Sequence, residues 1–186
     1  MKNLDDSKLF TPYQMGPVTL RNRVIRSAAF ESMGKDFGPT QDLKDYHVSV
    51  ARGGVGMTTL AYASINRSGV SFNSQLWLRD EIVPQLRDIT DAVHNEGAAV
   101  GIQIGHCGNM THWSTAGSFP VSASNGFNLY SPTFHRRMSH AEIAQTAKDF
   151  GKAVHTAHEA GFDSVEVHAG HGYLISQFLS PWTNHR

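Results

Sequence analysis

Apolar residues recur along the chain with two alternating periods, one typical of strands and one of helices. Residues 14–20 (Gln14-Met15-Gly16-Pro17-Val18-Thr19-Leu20) set two short extended runs around a Gly-Pro turn and predict a hairpin. Residues 24–29 predict a first core strand. After Thr40, Leu43, Tyr46 and Val50 share a helical face, and Gly53-Gly54 supplies a stop. Residues 55–63 predict a second strand. Asp80 and Glu81 open the next helix, where the helix dipole favours acids. Ile82, Leu86, Ile89 and Val93 then follow at helical spacing, and Gly97 closes the run. Residues 98–105 predict a third strand. Residues 106–138 show no period and predict a long functional loop or lid. Ser139 and Glu142 have capping-box spacing. They lead a helix with Ile143, Ala147, Phe150 and Val154 on one face, ended by Gly161, and residues 164–168 predict a fourth strand.

Strands alternating with helices predict a parallel sheet with crossover helices. The strands themselves alternate: in Val165-Glu166-Val167-His168 the valines are expected against the helix layer and Glu166 and His168 on the opposite face. A doubly wound sheet buries both faces and reads as apolar throughout. A barrel tolerates polar side chains inside its mouth, so the α/β class expected is a TIM (β/α)8 barrel. A full barrel takes eight strands and about 250 residues. Four strand units in 186 residues make residues 1–186 the N-terminal half of one. A half-barrel exposes two strand edges and its interior. The chain is therefore expected to be a truncation or fragment, or to need a partner: a second copy in a homo-oligomer, or the missing C-terminal half.

Sixteen basic and sixteen acidic side chains cancel, and no basic stripe is present, so nucleic acid is not an expected partner. The cluster His135-Arg136-Arg137 reads as part of a solvated loop, with docking of an anionic substrate the lesser alternative. The single cysteine, Cys107, excludes an internal disulfide and fits a reducing compartment. Residues 1–8 lack a signal-peptide core, and no run is long and apolar enough to span a bilayer. A soluble, cytoplasmic protein without a membrane partner is expected.

The candidate chemistry lies where the fourth strand ends, in His168-Ala169-Gly170-His171-Gly172-Tyr173. Residues just past strand C-termini handle ligands in βα proteins. Two imidazoles so spaced can converge on one ligand atom; the alternative is that they cap local backbone. His106, His168 and His171 also admit a metal-dependent barrel hydrolase, with Glu166 as one carboxylate, although no inward Asp on strand four or His-x-His on strand one supports it. A third reading is a non-catalytic half-barrel interaction module. Gly53-Gly54-Val55-Gly56 lacks the dinucleotide-fingerprint spacing.

The ordered set Leu9-Phe10-Thr11-Pro12, Leu20-Arg21-Asn22-Arg23-Val24, Gly53-Gly54-Val55-Gly56, Gly101-Ile102-Gln103-Ile104-Gly105-His106, His168 to Tyr173, Gln177-Phe178-Leu179-Ser180-Pro181 and Asn184-His185-Arg186 resembles the N-terminal half of Old Yellow Enzyme-type NADH:flavin oxidoreductases, the group that includes 2,4-dienoyl-CoA reductases. Family members continue with an Asp-x-Tyr-Gly-Gly segment that does not follow here. The resemblance implies a TIM barrel with non-covalent FMN at its mouth, reduced by NAD(P)H, passing hydride to the β-carbon of an activated alkene, a small-molecule substrate. It implies that His168 and His171 bind the substrate carbonyl and that Tyr173 protonates the α-carbon. It further implies cofactor contacts from Gln103, from Ser27, Ala28 and Ala29, and from Ala61 and Tyr62. Where the family often carries a flavin-bonding threonine or cysteine, this chain has Ala29 and Phe30, which cannot donate. Barrel phosphate sites are usually built after strands seven and eight, so the chain alone is expected to bind FMN weakly or not at all.

Overall fold

The computed structural model describes residues 7–186; the start of the chain, residues 1–6, where no signal-peptide core was expected, lies outside the described residues. The Gly16-Pro17 turn closes the expected hairpin, with β1 (Tyr13–Met15) antiparallel to β2 (Val18–Leu20). β3 (Ile25–Arg26) is shorter than the expected 24–29 and pairs only with Met57 and Thr58. α1 (Gln41–Arg52) starts at Thr40, whose hydroxyl accepts the Leu43 N–H. β4 (Met57–Ser64) follows, and β5 (Leu76–Trp77) pairs with its far end. Asp80 and Glu81 lie in a 3-10 turn rather than in the helix proper, which begins beside Pro84 as α2 (Val83–Asn95) and leads to β6 (Ala99–Gly105).

Residues 106–138 are not simply a loop. They hold α3 (Trp113–Ala116) and a three-stranded sheet of β7 (Val121–Ser122), β8 (Gly126–Asn128) and β9 (Thr133–Arg137), in the order β7-β9-β8. Phe127 and Phe134 pair edge-on across it, 4.9 Å apart. The strands are two to five residues long, too short to show a period. His135, Arg136 and Arg137 therefore lie on β9 rather than in a loop, and Arg136 forks onto Glu142 at 2.9 and 2.5 Å. α4 (His140–Glu159) carries the full capping box between Ser139 and Glu142. β10 (Ser164–Val167) and α5 (Leu174–Leu179) complete the described chain.

The main sheet runs β10-β6-β4-β3, all parallel. Spatial order equals chain order without reversal. That is the wall of a singly wound barrel, since a doubly wound sheet reverses direction at a switch point. Leu86, Ile89 and Val93 of α2 are fully buried against Val100, Ile102 and Ile104 of β6. Each such side chain contributes roughly 1.5–3 kcal/mol by leaving water. On α4 the buried residues are Ala153, Thr156 and Ala157, not Val154, which is 43% exposed. Small side chains let α4 approach the sheet and rotate the expected face by one residue. Val165 packs on this core, but Val167 is 51% exposed, contrary to expectation. β10 is an edge strand, and α4 packs chiefly on β6 and α2.

Arg136 and the Ser139 backbone hold the Glu142 carboxyl down to about 2, from an ordinary 4.5. A folded-state value below the unfolded one adds stability that is present above pH 4.5 and lost as pH falls towards 2. Glu142 is partly exposed, which keeps the effect within about 1 kcal/mol. Urea unfolding of Glu142→Gln should show lower stability than the parent at pH 6, and the gap should close in acid.

Candidate active site at the strand ends

Parallel pairing brings the C-terminal ends of β3, β4, β6 and β10 to one rim. On it β10 gives way to His168, whose N–H still bonds to Ile104 O at 2.8 Å. The chain then reverses through His171 and Gly172, both left-handed at φ +56 and +70. A non-glycine residue is rarely held there without compensation. The reversal swings His171 back over His168, and its Nδ1 lies 3.0 Å from His168 Nε2. One imidazole therefore donates to the other. Tyr173 stands edge-on to His168, with ring centres 5.0 Å apart.

Tyr62, only 4% exposed, joins the cluster from β4. Its ring centre is 5.2 Å from that of Tyr173 and 5.7 Å from that of His168, and its hydroxyl bonds to Ser71. Gly105 makes room: a Cβ there would stand 3.2 Å from His168 Cβ. Burial, and then the neighbouring Tyr173, push the Tyr62 phenol far up. It is a neutral hydroxyl at any working pH. Burial first, and then the charge of His171, lower the His168 value.

Gln103 and Glu166 sit opposite each other on β6 and β10, and Gln103 Nε2 donates to Glu166 Oε1 at 2.5 Å. Ser27 and Ala29 are exposed and Ala28 is half-buried, just past β3, while Ala61 is buried on β4. The structure thus brings the Tyr62, His168, His171 and Tyr173 rings together, while Ser27, Ala28, Ala29, Ala61 and Gln103 lie on or just past the neighbouring strands. His106 is not among these rings. It is 2% exposed, its Nδ1 accepts the Gly108 N–H at 3.0 Å and its Nε2 faces Ser68 Oγ at 3.3 Å. Among the described residues no group of three His, Cys, Asp or Glu is placed to hold a metal ion. No helix among them is long and apolar enough to cross a membrane.

Residues 8–186 match the NADH:flavin oxidoreductase / NADH oxidase family. The chain belongs to this family. It is 37% identical to the 4,4'-dithiodibutanoate disulfide reductase of Rhodococcus erythropolis, over 96% of the chain and 44% of that protein. It superposes on the Old Yellow Enzyme homologue from Zymomonas mobilis with a TM-score of 0.89 at 29% identity, over 97% of the chain and 53% of that one. On morphinone reductase in complex with tetrahydroNAD the TM-score is 0.90 at 28% identity, over 97% and 54%. The chain spans about half the length of these relatives, so its four-strand wall corresponds to about half of a TIM barrel. The family uses FMN with NADH or NADPH as reductant.

Three features of the site escaped the sequence. Tyr62 was expected only as a cofactor contact, yet its ring joins the histidines. Gln177, 2% exposed, ties the two rim loops together: it donates to Asn109 Oδ1 at 2.8 Å and Gly172 O at 2.6 Å. Arg26 and Glu31 form a pair at 2.6 Å beside the first strand end. Opposite charges flanking Ser27-Ala28-Ala29-Phe30 were the available signal for that pair.

The His168 Cε1–H shift, followed by NMR, should titrate below the ordinary 6.5, and His171→Ala should move the midpoint part of the way back. Burial pushes His106 down to about 4. The unfolded chain takes that proton first, so folding stability should fall as pH drops below 6.5 and level off below about 4. His106→Gln should flatten that part of the acid profile.

Proposed function

We propose that this chain is the substrate-activating half of an FMN-dependent oxidoreductase of the ene-reductase type. The proposed substrate is an activated alkene, an α,β-unsaturated carbonyl compound or a dienoyl thioester. What supports this is the convergence of two imidazoles and a phenol on one rim, with His171 Nδ1 3.0 Å from His168 Nε2. When bound, FMN carries hydride from NAD(P)H to the alkene β-carbon. Addition there builds negative charge on the carbonyl oxygen. The mutual bond then breaks, the accepting ring presents its protonated nitrogen in place of its lone pair, and His168 and His171 both donate to that oxygen and stabilise it as an oxyanion hole. Tyr173, its ring edge-on to His168, gives its phenolic proton to the α-carbon.

The residues suit one end of the flavin. Gln103 has its amide nitrogen engaged by Glu166, which leaves its oxygen to accept from the pyrimidine edge. Exposed Ser27 and Ala29 offer small surfaces for close approach, and Ala61 and Tyr62 close the neighbouring strand end. Among the described residues the main sheet has no seventh or eighth strand, after which barrels build their phosphate site. The rest of the barrel comes from a C-terminal half or a second copy, joined at β3 and β10, where Ile25 and Val167 are exposed apolar residues.

The purified 186-residue chain should retain little flavin after desalting; stoichiometric, tight retention would overturn the claim of incompleteness. In any flavin-loaded assembly containing the chain, His168→Ala or His171→Ala should lower alkene reduction about 10²–10³-fold. Flavin reduction by NAD(P)H should persist. An unchanged alkene rate in both variants would remove the proposed function. Tyr173→Phe should slow alkene turnover and leave reduction of a proton-independent acceptor intact.

A further inference from the structure

The ladder along one side of β4 is interrupted. β3 pairs with β4 only as far as Thr58, and β5 begins pairing only at Ala63. Between them β4 also slips against β6: Leu60 faces Ile102 and Ala63 faces Ile104, three steps against two. The extra residue is a β-bulge, a device that re-aims side chains next to active sites. It carries Ala61 and Tyr62. Its backbone groups on the β3 side have no strand to bond, yet buried N–H and C=O groups require partners.

Side chains from the end of β3 and just beyond it fill the gap. Glu31 Oε2 accepts the Ala61 N–H at 3.2 Å. Arg26 Nη1 donates to Glu31 Oε1 at 2.6 Å and to Thr59 O at 2.5 Å, while Nη2 donates to Ala29 O at 2.9 Å. The Glu31 side chain is 3% exposed. His47 Nε2 lies 3.2 Å from Glu31 Oε1 but is not aligned for a hydrogen bond, and its Nδ1 bonds to Thr58 Oγ1 at 2.8 Å. A charged pair thus stands in for backbone pairing where the first two strand ends meet.

We propose that Glu31, held by Arg26, is a positioning residue: it fixes the Ala61–Tyr62 bulge so that the Tyr62 ring packs against His168 and Tyr173, and Arg26 fixes the Ala29 peptide at the same rim. An ordinary structural ion pair would strengthen the whole domain evenly. This one bonds to three backbone groups of one rim, the Ala61 N–H, Thr59 O and Ala29 O, and through the first acts on the ring that walls the imidazole pair. The consequence for flavin, whose edge Ala29 and Ala61 would line, rests on the function proposed above. The positional claim does not.

Amide hydrogen exchange and ring-to-ring NOEs in the 186-residue chain test it. In Glu31→Met, the Ala61 amide should exchange at least about tenfold faster relative to the Ile102 amide in the core. The NOE between Tyr62 and His168 should vanish. Glu31→Gln should restore both, because its amide oxygen can accept the same N–H. Should Glu31→Met fail to fold, Arg26→Lys serves instead, since one ammonium cannot reproduce the guanidinium fork; the same selective loss is expected. Equal acceleration of Ala61 and Ile102, or an NOE that survives in Glu31→Met, would overturn the proposal. In a flavin-loaded assembly the methionine variant should also bind FMN at least about tenfold more weakly, or 1.4 kcal/mol. Failure of the parent assembly to bind flavin would count against the function above and leave the exchange result to decide this claim.

Discussion

Parallel pairing of β3, β4, β6 and β10 is the constraint on which the site depends. In a parallel sheet every strand points the same way, so residues that follow successive strands meet on one rim however far apart they lie in sequence. That is how Ala29, Tyr62, Gln103 and His168 come within one neighbourhood. The helices hold the strands in this arrangement through α2 and β6, whose buried aliphatic residues form the centre of the core. The rim itself contributes little to that core. It is free to carry polar groups, strained backbone at His171 and a bulge at Ala61, features that a packed interior would penalise.

Elements with a long apolar period were legible in the sequence. Helical spacing of Leu86, Ile89 and Val93, and the pairing of Ser139 with Glu142, placed α2 and α4 to within a few residues. The alternation in Val165-Glu166-Val167-His168 placed Glu166 and His168 on the open face. The small sheet between β6 and α4 was not legible, because strands of two to five residues have no measurable period and tertiary pairing alone defines them. Val154 and Val167 were misplaced for a related reason. An apolar side chain signals burial only where a partner element covers it, and which element covers which face is settled by packing.

The histidines and Tyr173 were legible because their identity and their place after a strand both carry chemistry. Tyr62 was not, because its role is set by a register slip. A slip of one residue reverses the face a side chain occupies. No local pattern announces it, since it depends on where β3 stops and β5 begins. The same holds for Arg26 and Glu31, which look like surface charges until the missing ladder is seen.

The imidazole pair is the feature on which the proposed site rests. Histidines that merely capped backbone would bond to main-chain groups, as His106 Nδ1 accepts the Gly108 N–H. His168 and His171 instead bond to each other, at an exposed reversal held in a left-handed conformation. A mutual bond between two imidazoles is a weak one to give up. An incoming oxygen that gathers charge offers both rings a stronger, charge-assisted acceptor. Under the proposed function the pair, satisfied in the free chain, would be better satisfied by a carbonyl becoming an enolate, which is the preference a hydride-accepting alkene requires of its binding site.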